Sequence, residues 1–141
     1  MLMVIYTIFR TGSISVIMMI SKSHKNNILS QVPDSSLRKN IHITNFPFLK
    51  DIKVLGASSF RDCVQIKSVK LPNSLIKICD FVFSGCEQLC EIHLNPGVIE
   101  LGNRFIAYTK VKEIVIPNTV KKMEYALDRA HYIKKLFLKM A

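Results

Sequence analysis

The stretch from Leu71 to His93, LPNSLIKICDFVFSGCEQLCEIH, decides how this chain folds, because its pattern returns on both sides. Next comes LNPGVIELGNRFIAYTKVKEIV, Leu94 to Val115, and then IPNTVKKMEYALDRAHYIKKLF, Ile116 to Phe137. Upstream, VLGASSFRDCVQIKSVK, Val54 to Lys70, supplies the second half of a further unit. Apolar residues fall into columns. Leu55, Ile78, Leu101 and Met123 are 23, 23 and 22 residues apart. Ile66, Leu89, Val111 and Ile133, then Val69, Ile92, Ile114 and Leu136, then Leu71, Leu94, Ile116 and Leu138, each follow intervals of 23, 22 and 22. A Phe column, Phe60, Phe83 and then Ile106, drifts in the last copy, where Leu127 or Asp128 would fall. Four columns keeping one period across four copies mark a repeat architecture, in which no unit buries its own apolar side and stacking creates the core.

Each unit reads as one coil. In the strand Leu89 to Leu94 the period-two rule sends Ile92 and Leu94 to the same side. Pro72 and Pro117 end the strands, since proline cannot donate into a ladder. The chain then returns through Leu75 and Ile78 to a turn at Phe83. The expected fold is a repeat solenoid: a short stack with parallel strands on one face and irregular turns on the other.

The pattern Leu-Pro-Asn-Ser-Leu-x-x-Ile-x-x-x-x-Phe-x-x-Cys-x-x-Leu-x-x-Ile, as it stands from Leu71 to Ile92, closely resembles the BspA-like class of leucine-rich repeats. The resemblance covers roughly Leu49 to Leu138. It implies a curved solenoid of parallel strands, found mainly in surface proteins of host-associated microbes, with adhesion and host-factor binding as typical roles. A cell-surface or extracellular location is implied by the resemblance alone. The chain departs from the pattern in places. Cys79 and Glu124 stand where the family commonly has Gly, Asn95-Pro96-Gly97 carries an extra residue relative to Leu71-Pro72-Asn73, and no repeat is legible before Asn45. The chain therefore divides into an N-terminal apolar segment, 1–48, and leucine-rich repeats over 49–141, about three to four units.

Two segments carry rival readings. In the first twenty residues, MLMVIYTIFRTGSISVIMMI, Arg10-Thr11-Gly12-Ser13 reads as a turn between two Val- and Ile-rich strands, a hairpin cap. A signal or anchor segment is the competing reading, although Arg10 interrupts the apolar run. Near the C-terminus, Ala126, Ala130, Ile133, Phe137 and Met140 are spaced as one face of a helix, while the repeat register demands a turn and a strand at Ile133 to Leu138. Three earlier copies favour the register.

With 141 residues the chain is sized for one domain, and 49% hydrophobic against 21% charged residues is a core-forming balance. The net charge of +10 favours polyanions as partners. Cys63, Cys79, Cys86 and Cys90 are too few and too clustered for a disulfide-built scaffold. Cys63 and Cys86 share a repeat position and are expected as reduced, buried thiols. Cys79, Cys86, Cys90 and His93 lack a zinc spacing and fall on different parts of the coil, so no metal is expected. Nucleophile-elbow, zinc-protease, P-loop and dinucleotide motifs are absent, which leads us to expect no enzyme and no cofactor.

What remains is the outward face of the strands. It reads Lys67, Ser68 and Lys70, then Cys90, Glu91 and His93, then Lys112, Glu113 and Val115, then Lys134, Lys135 and Phe137. From these, Lys67, Lys70, Glu91, His93, Lys112, Glu113, Lys134, Lys135 and Phe137 are the candidate partner-binding residues, and outward Val115 and Phe137 point to contact rather than water. The leading expectation is a protein-interaction or adhesion module. The alternatives are a basic binder of nucleic acid or acidic glycan, disfavoured by the lack of interleaved aromatic platforms, and an incomplete piece of a longer repeat protein. An open stack end without a polar cap also predicts self-association.

Overall fold

The computed structural model describes residues 30–46 and 49–139, which wind into a parallel-strand solenoid of about five turns with almost no helix. Strands are short: β1 (Gln31–Val32), β2 (Val54–Leu55), β3 (Ser68–Lys70), β4 (Lys77–Ile78), β5 (Glu91–His93), β6 (Glu100–Leu101), β7 (Glu113–Ile116) and β8 (Lys135–Leu138). The three middle coils contribute two each, one on either limb; the first contributes β1 and the last β8.

On the outer limb β3 pairs with β5 and β7 with β8, all parallel, which sets Val69 beside Ile92 and Ile114 beside Leu136. These are the partners the 23- and 22-residue columns predict. The return limb, expected to be irregular turn alone, also carries a ladder: β1, β2, β4 and β6 form one parallel sheet with Val32, Leu55, Ile78 and Leu101 in register. A parallel bridge from Glu100 to Lys122 continues it into the last coil.

The outer limb is not continuous. β5 lies against β7, yet no ladder joins them. Coils two and three reach their next buried column through Cys63-Val64-Gln65-Ile66 and Cys86-Glu87-Gln88-Leu89, each closed by a backbone bond from Ile66 N to Cys63 O (3.3 Å) or Leu89 N to Cys86 O (2.9 Å). Coil four does it in one residue fewer, Thr109-Lys110-Val111. The Lys110 amide then takes the Leu89 carbonyl at 2.7 Å, and the regular rung pattern is lost between Ile92 and Ile114.

Columns of apolar residues fill the interior. Val32, Leu55, Ile78 and Leu101 line one wall; Ile43, Ile66, Leu89 and Val111 another; all are at most 2% exposed. Leu37, Phe60, Phe83 and Ile106 fill the corner. Phe60 stacks on Phe83, and Phe46 meets both edge-on at 5.1 and 6.1 Å. The solenoid thus takes in residues 30–46, where no repeat was legible: Val32, Leu37 and Ile43 stand 23 residues before Leu55, Phe60 and Ile66 and are buried. The hairpin and signal or anchor readings of the first twenty residues lie outside the described residues. No helix among the described residues is long and apolar enough to cross a membrane.

The corner beside the Phe column is built from left-handed backbone. Ser35, Ser58, Phe81 and Arg104 have φ of 52° to 58°, and Lys39, Asp62, Gly85 and Tyr108 have φ of 57° to 76°, two columns at 23-residue spacing. Side-chain oxygens tie successive coils at the entry to this corner: Asp34 Oδ1 accepts from Ala57 N at 2.8 Å, Asp80 Oδ1 from Asn103 N at 2.7 Å, and Asn103 Oδ1 from Tyr125 N at 3.3 Å. The expected extra residue is not present: Asn95 takes the place of Pro72 at the same 23-residue interval, and its buried amide donates to Asn73 O and Leu75 O of the coil before.

In the last coil the register prevails over the helical spacing: residues 126–129 turn and β8 is extended. Leu127 packs on the core and Asp128 leaves the Phe column to take Arg104 Nε at 2.6 Å.

Candidate interaction surface

Strand alternation decides which side chains the outer limb can offer. Val69, Ile92 and Ile114 point inward and are at most 5% exposed, so their neighbours point out. All nine predicted residues, Lys67, Lys70, Glu91, His93, Lys112, Glu113, Lys134, Lys135 and Phe137, are exposed. Registration brings them together in part. Ser68 lies beside Glu91 and Lys70 beside His93 on one strand pair; Glu113 lies beside Lys135 and Val115 beside Phe137 on the other. The seam between β5 and β7 separates the two groups.

Four of the nine are already engaged. Glu91 Oε1 lies 2.6 Å from His93 Nε2, and Lys135 Nζ lies 2.9 Å from Glu113 Oε1. Lys67, Lys70, Lys112 and Lys134 form no ion pair with any described residue. Glu113 is thus neutralised by Lys135 and Glu91 is hydrogen-bonded to His93, and four ammonium groups stay without an acidic partner among the described residues. Beside it, Val115 and Phe137 are 50% and 47% exposed.

The return limb carries a second charge column that column-by-column alignment of the repeats would reveal, Lys77, Glu100 and Lys122. Glu100 Oε1 accepts from Lys77 Nζ and Lys122 Nζ, both at 3.2 Å, across three coils. The Lys77 hydrogen bond, then that of Lys122, holds the Glu100 carboxyl below the usual carboxylate range, and the Glu100 hydrogen bond raises Lys77. An open groove of about 340 Å³ runs beside this column, edged by Ala57, Cys79, Asp80 and Gly102. Every charged group lining it except Glu124 has a partner of its own, so the groove offers little to a ligand.

The cysteines divide by environment. Cys63 and Cys86 occupy the same column, are fully buried and free, and donate to backbone carbonyls of the preceding coil, Leu37 O at 3.1 Å and Phe60 O at 3.3 Å. Burial pushes the Cys63 thiol up to about 12 and drives Cys86 in the same direction. Cys79 follows β4 and is half-buried, while Cys90 is exposed with its Sγ 3.3 Å from Lys67 O. With His93 on the outer flank, Cys79, Cys86, Cys90 and His93 do not converge, and no cluster of three or more metal-ligating side chains occurs among the described residues.

The chain matches the model of the BspA type leucine-rich repeat region over residues 18–133, in six copies. Solved structures share the fold. A leucine-rich repeat protein from Bacteroides ovatus superposes with a TM-score of 0.67 at 22% identity, covering 77% of this chain and 28% of its own. One from Bacteroides capillosus gives 0.57 at 26% identity, covering 63% and 64%. A leucine-rich cell surface protein from Faecalibacterium prausnitzii gives 0.52 at 16% identity, covering 77% and 38%. This chain therefore spans between about a quarter and two thirds of the length of these relatives. A search of curated proteins finds no match. Regular columns, parallel ladders and a family match over most of the chain agree, and the protein belongs to the BspA-type leucine-rich repeat family.

Proposed function

We propose that this chain is a non-catalytic interaction module that binds a protein partner through its outer strand flank, at a cell surface. The observation that carries this reading is the flank itself. Lys70 on β3, and Lys67, Lys112 and Lys134 just before β3, β7 and β8, are exposed without ion-pair partners among the described residues, on the limb that also exposes Val115 and Phe137. Exposed apolar groups on a strand face, set among cations that nothing local neutralises, are what a partner surface would cover. The family is typical of protein-interaction modules and generally non-catalytic, and a cell-surface protein stands among the structural neighbours, which supports the setting.

The test is the triple variant Lys112→Ala, Lys134→Ala, Lys135→Ala. Its circular dichroism and melting temperature should match the parent within a few degrees, because all three side chains are exposed. Partners captured from a protein extract by the parent should be lost. Capture that is unchanged in the variant removes this flank from the reading.

One observation favours a second reading, self-association. Leu136 and Leu138 are 48% and 65% exposed, whereas their column mates Ile114 and Ile116 are at most 3% exposed, and β8 has one unpaired edge. A second copy of the 141-residue chain pairing along β8 would cover both leucines. Sedimentation at rising concentration tests it, and Leu138→Lys should return the species to monomer.

A further inference from the structure

We infer that the outer flank selects an acidic polypeptide carrying aromatic side chains, not a polymer of negative charge alone; this rests on the proposed interaction role and names its partner chemistry. Three observations lead there. First, cations outnumber acids on the flank: Glu113 is paired with Lys135 and Glu91 is hydrogen-bonded to His93, while Lys67, Lys70, Lys112 and Lys134 have no acidic partner among the described residues, so the net charge left to meet a partner is cationic. Second, the cations form a row. Lys112 and Lys134 project one coil apart and Lys67 two coils from Lys112, at ~4.8 Å per coil. Carboxylates on alternate residues of an extended segment fall ~6.6 Å apart, between one and two rungs and within the sweep of a lysine side chain. Third, an apolar pair, Val115 and Phe137, lies three residues along the chain from Lys112 and Lys134, which precede β7 and β8. Val115 stays half exposed although strands flank it on both sides, so its exposure comes from the face and not from the end of the stack. Phe137 registers beside it and widens the patch.

Each part excludes a partner class. Four lysines without an acidic partner among the described residues reject a basic or neutral surface, because covering them without carboxylates strands their charge. Val115 and Phe137 give a purely anionic chain nothing to bury, while an aromatic ring laid across them gains contact area and can meet Lys134 or Lys135 face-on. The footprint is small, ~10 Å along the strands by ~15 Å across four rungs, so binding should be weak, in the micromolar range or above.

The experiment compares three probes against the full chain by fluorescence polarisation: poly-glutamate, a random glutamate–tyrosine copolymer of the same length, and dextran sulfate. The copolymer should bind about tenfold more tightly than poly-glutamate, a margin of the size expected for one buried aromatic contact. The double variant Val115→Ser, Phe137→Ser should erase that margin and leave poly-glutamate binding unchanged. Lys112→Ala with Lys134→Ala should weaken both and flatten their salt dependence. Equal binding of poly-glutamate and copolymer, or dextran sulfate binding best with no effect of the serine pair, overturns the inference in favour of a general polyanion binder. Binding of none of the probes overturns it as well. In that event the triple-lysine capture experiment still decides separately whether the flank is an interaction surface.

Discussion

Phe60 and Phe83 lie face to face in adjacent coils, ring centroids 5.5 Å apart and planes 13° from parallel, and neither has any exposed surface. Each ring therefore packs against the coil before and the coil after. Phe83→Ala should cost about 3–5 kcal/mol, the range for a buried aromatic truncated to a cavity. Urea unfolding checks this as a lower midpoint. Phe60→Ala combined with it should cost less than the two separately, because the second truncation removes a contact already lost.

Gly102 sits where two coils approach closely on the return limb. A Cβ there would lie 2.5 Å from the Cys79 carbonyl oxygen, and backbone cannot swing aside as a side chain can. Gly102→Ala should destabilise by about 2 kcal/mol or more. Gly97→Ala, whose nearest neighbour would be the Asn95 side-chain amide at 3.0 Å, should cost visibly less. Parallel thermal melts of the two variants make the comparison. Equal losses would refute the close approach as the cause.

The cysteines should separate by reactivity and by pH. Cys90 is exposed and should label rapidly in the native protein, while Cys63 and Cys86 should label only as fast as the protein unfolds. Their folded thiols ionise only near or above 12, against an ordinary value of 9.0. Between these values the unfolded chain has released its protons and the folded chain still holds them. The unfolded state binds fewer protons, so stability falls as pH rises from about 9 towards 12. Urea midpoints at pH 8 and pH 10 should show the drop, and Cys63→Ala with Cys86→Ala should shrink it.

At Ala57 the ladder of side-chain caps misses a rung. Asp34, Asp80 and Asn103 each take an amide of the following coil, but Ala57 has no oxygen to offer Asp80 N. Ala57 edges the open groove, so a longer side chain has room. Ala57→Asn should raise stability by about 0.5–1.5 kcal/mol, the net value of one hydrogen bond. A melting temperature unchanged or lowered would count against the repeating cap.

The inward columns were legible in the sequence because they answer to burial alone: Leu55, Ile78 and Leu101, or Val69 and Ile92, must be apolar for the coils to stack. The outer strands followed, and with them the exposure of Lys70, Glu91, His93, Glu113, Lys135 and Phe137; Lys67, Lys112 and Lys134 are exposed just before their strands. Strands of two residues, such as Lys77–Ile78, are too short to display any alternation, so the return-limb sheet was not visible. The left-handed corner was hidden because seven of the eight residues in its two columns are not glycine. In the first described coil, Val32, Leu37 and Ile43 keep the spacing, but Asn40 and Leu37 stand where later coils have Cys63 and Phe60, and the pattern fades. The pairs Glu91–His93 and Glu113–Lys135 could not be read either, since they depend on side-chain rotamers as well as on register. The helical spacing of Ala126 to Phe137 proved coincidental: Leu136 and Leu138 answer to Ile114 and Ile116 across a rung, a relation no local window contains.

The single residue missing between Thr109 and Val111 gives the molecule unequal sides. Along the return limb an unbroken seam of amides runs from β1 to β6, like the spine of a book. Opposite it, the strand pairs β3–β5 and β7–β8 meet without a ladder, joined at the seam by the Lys110 amide on the Leu89 carbonyl. Parting the covers there meets the Lys110 amide and the corner bonds beside it, whereas parting the spine meets a whole ladder. The outer flank is therefore the more loosely laced of the two limbs, and the plates that carry Lys70 and Phe137 share fewer amide bonds than the spine behind them.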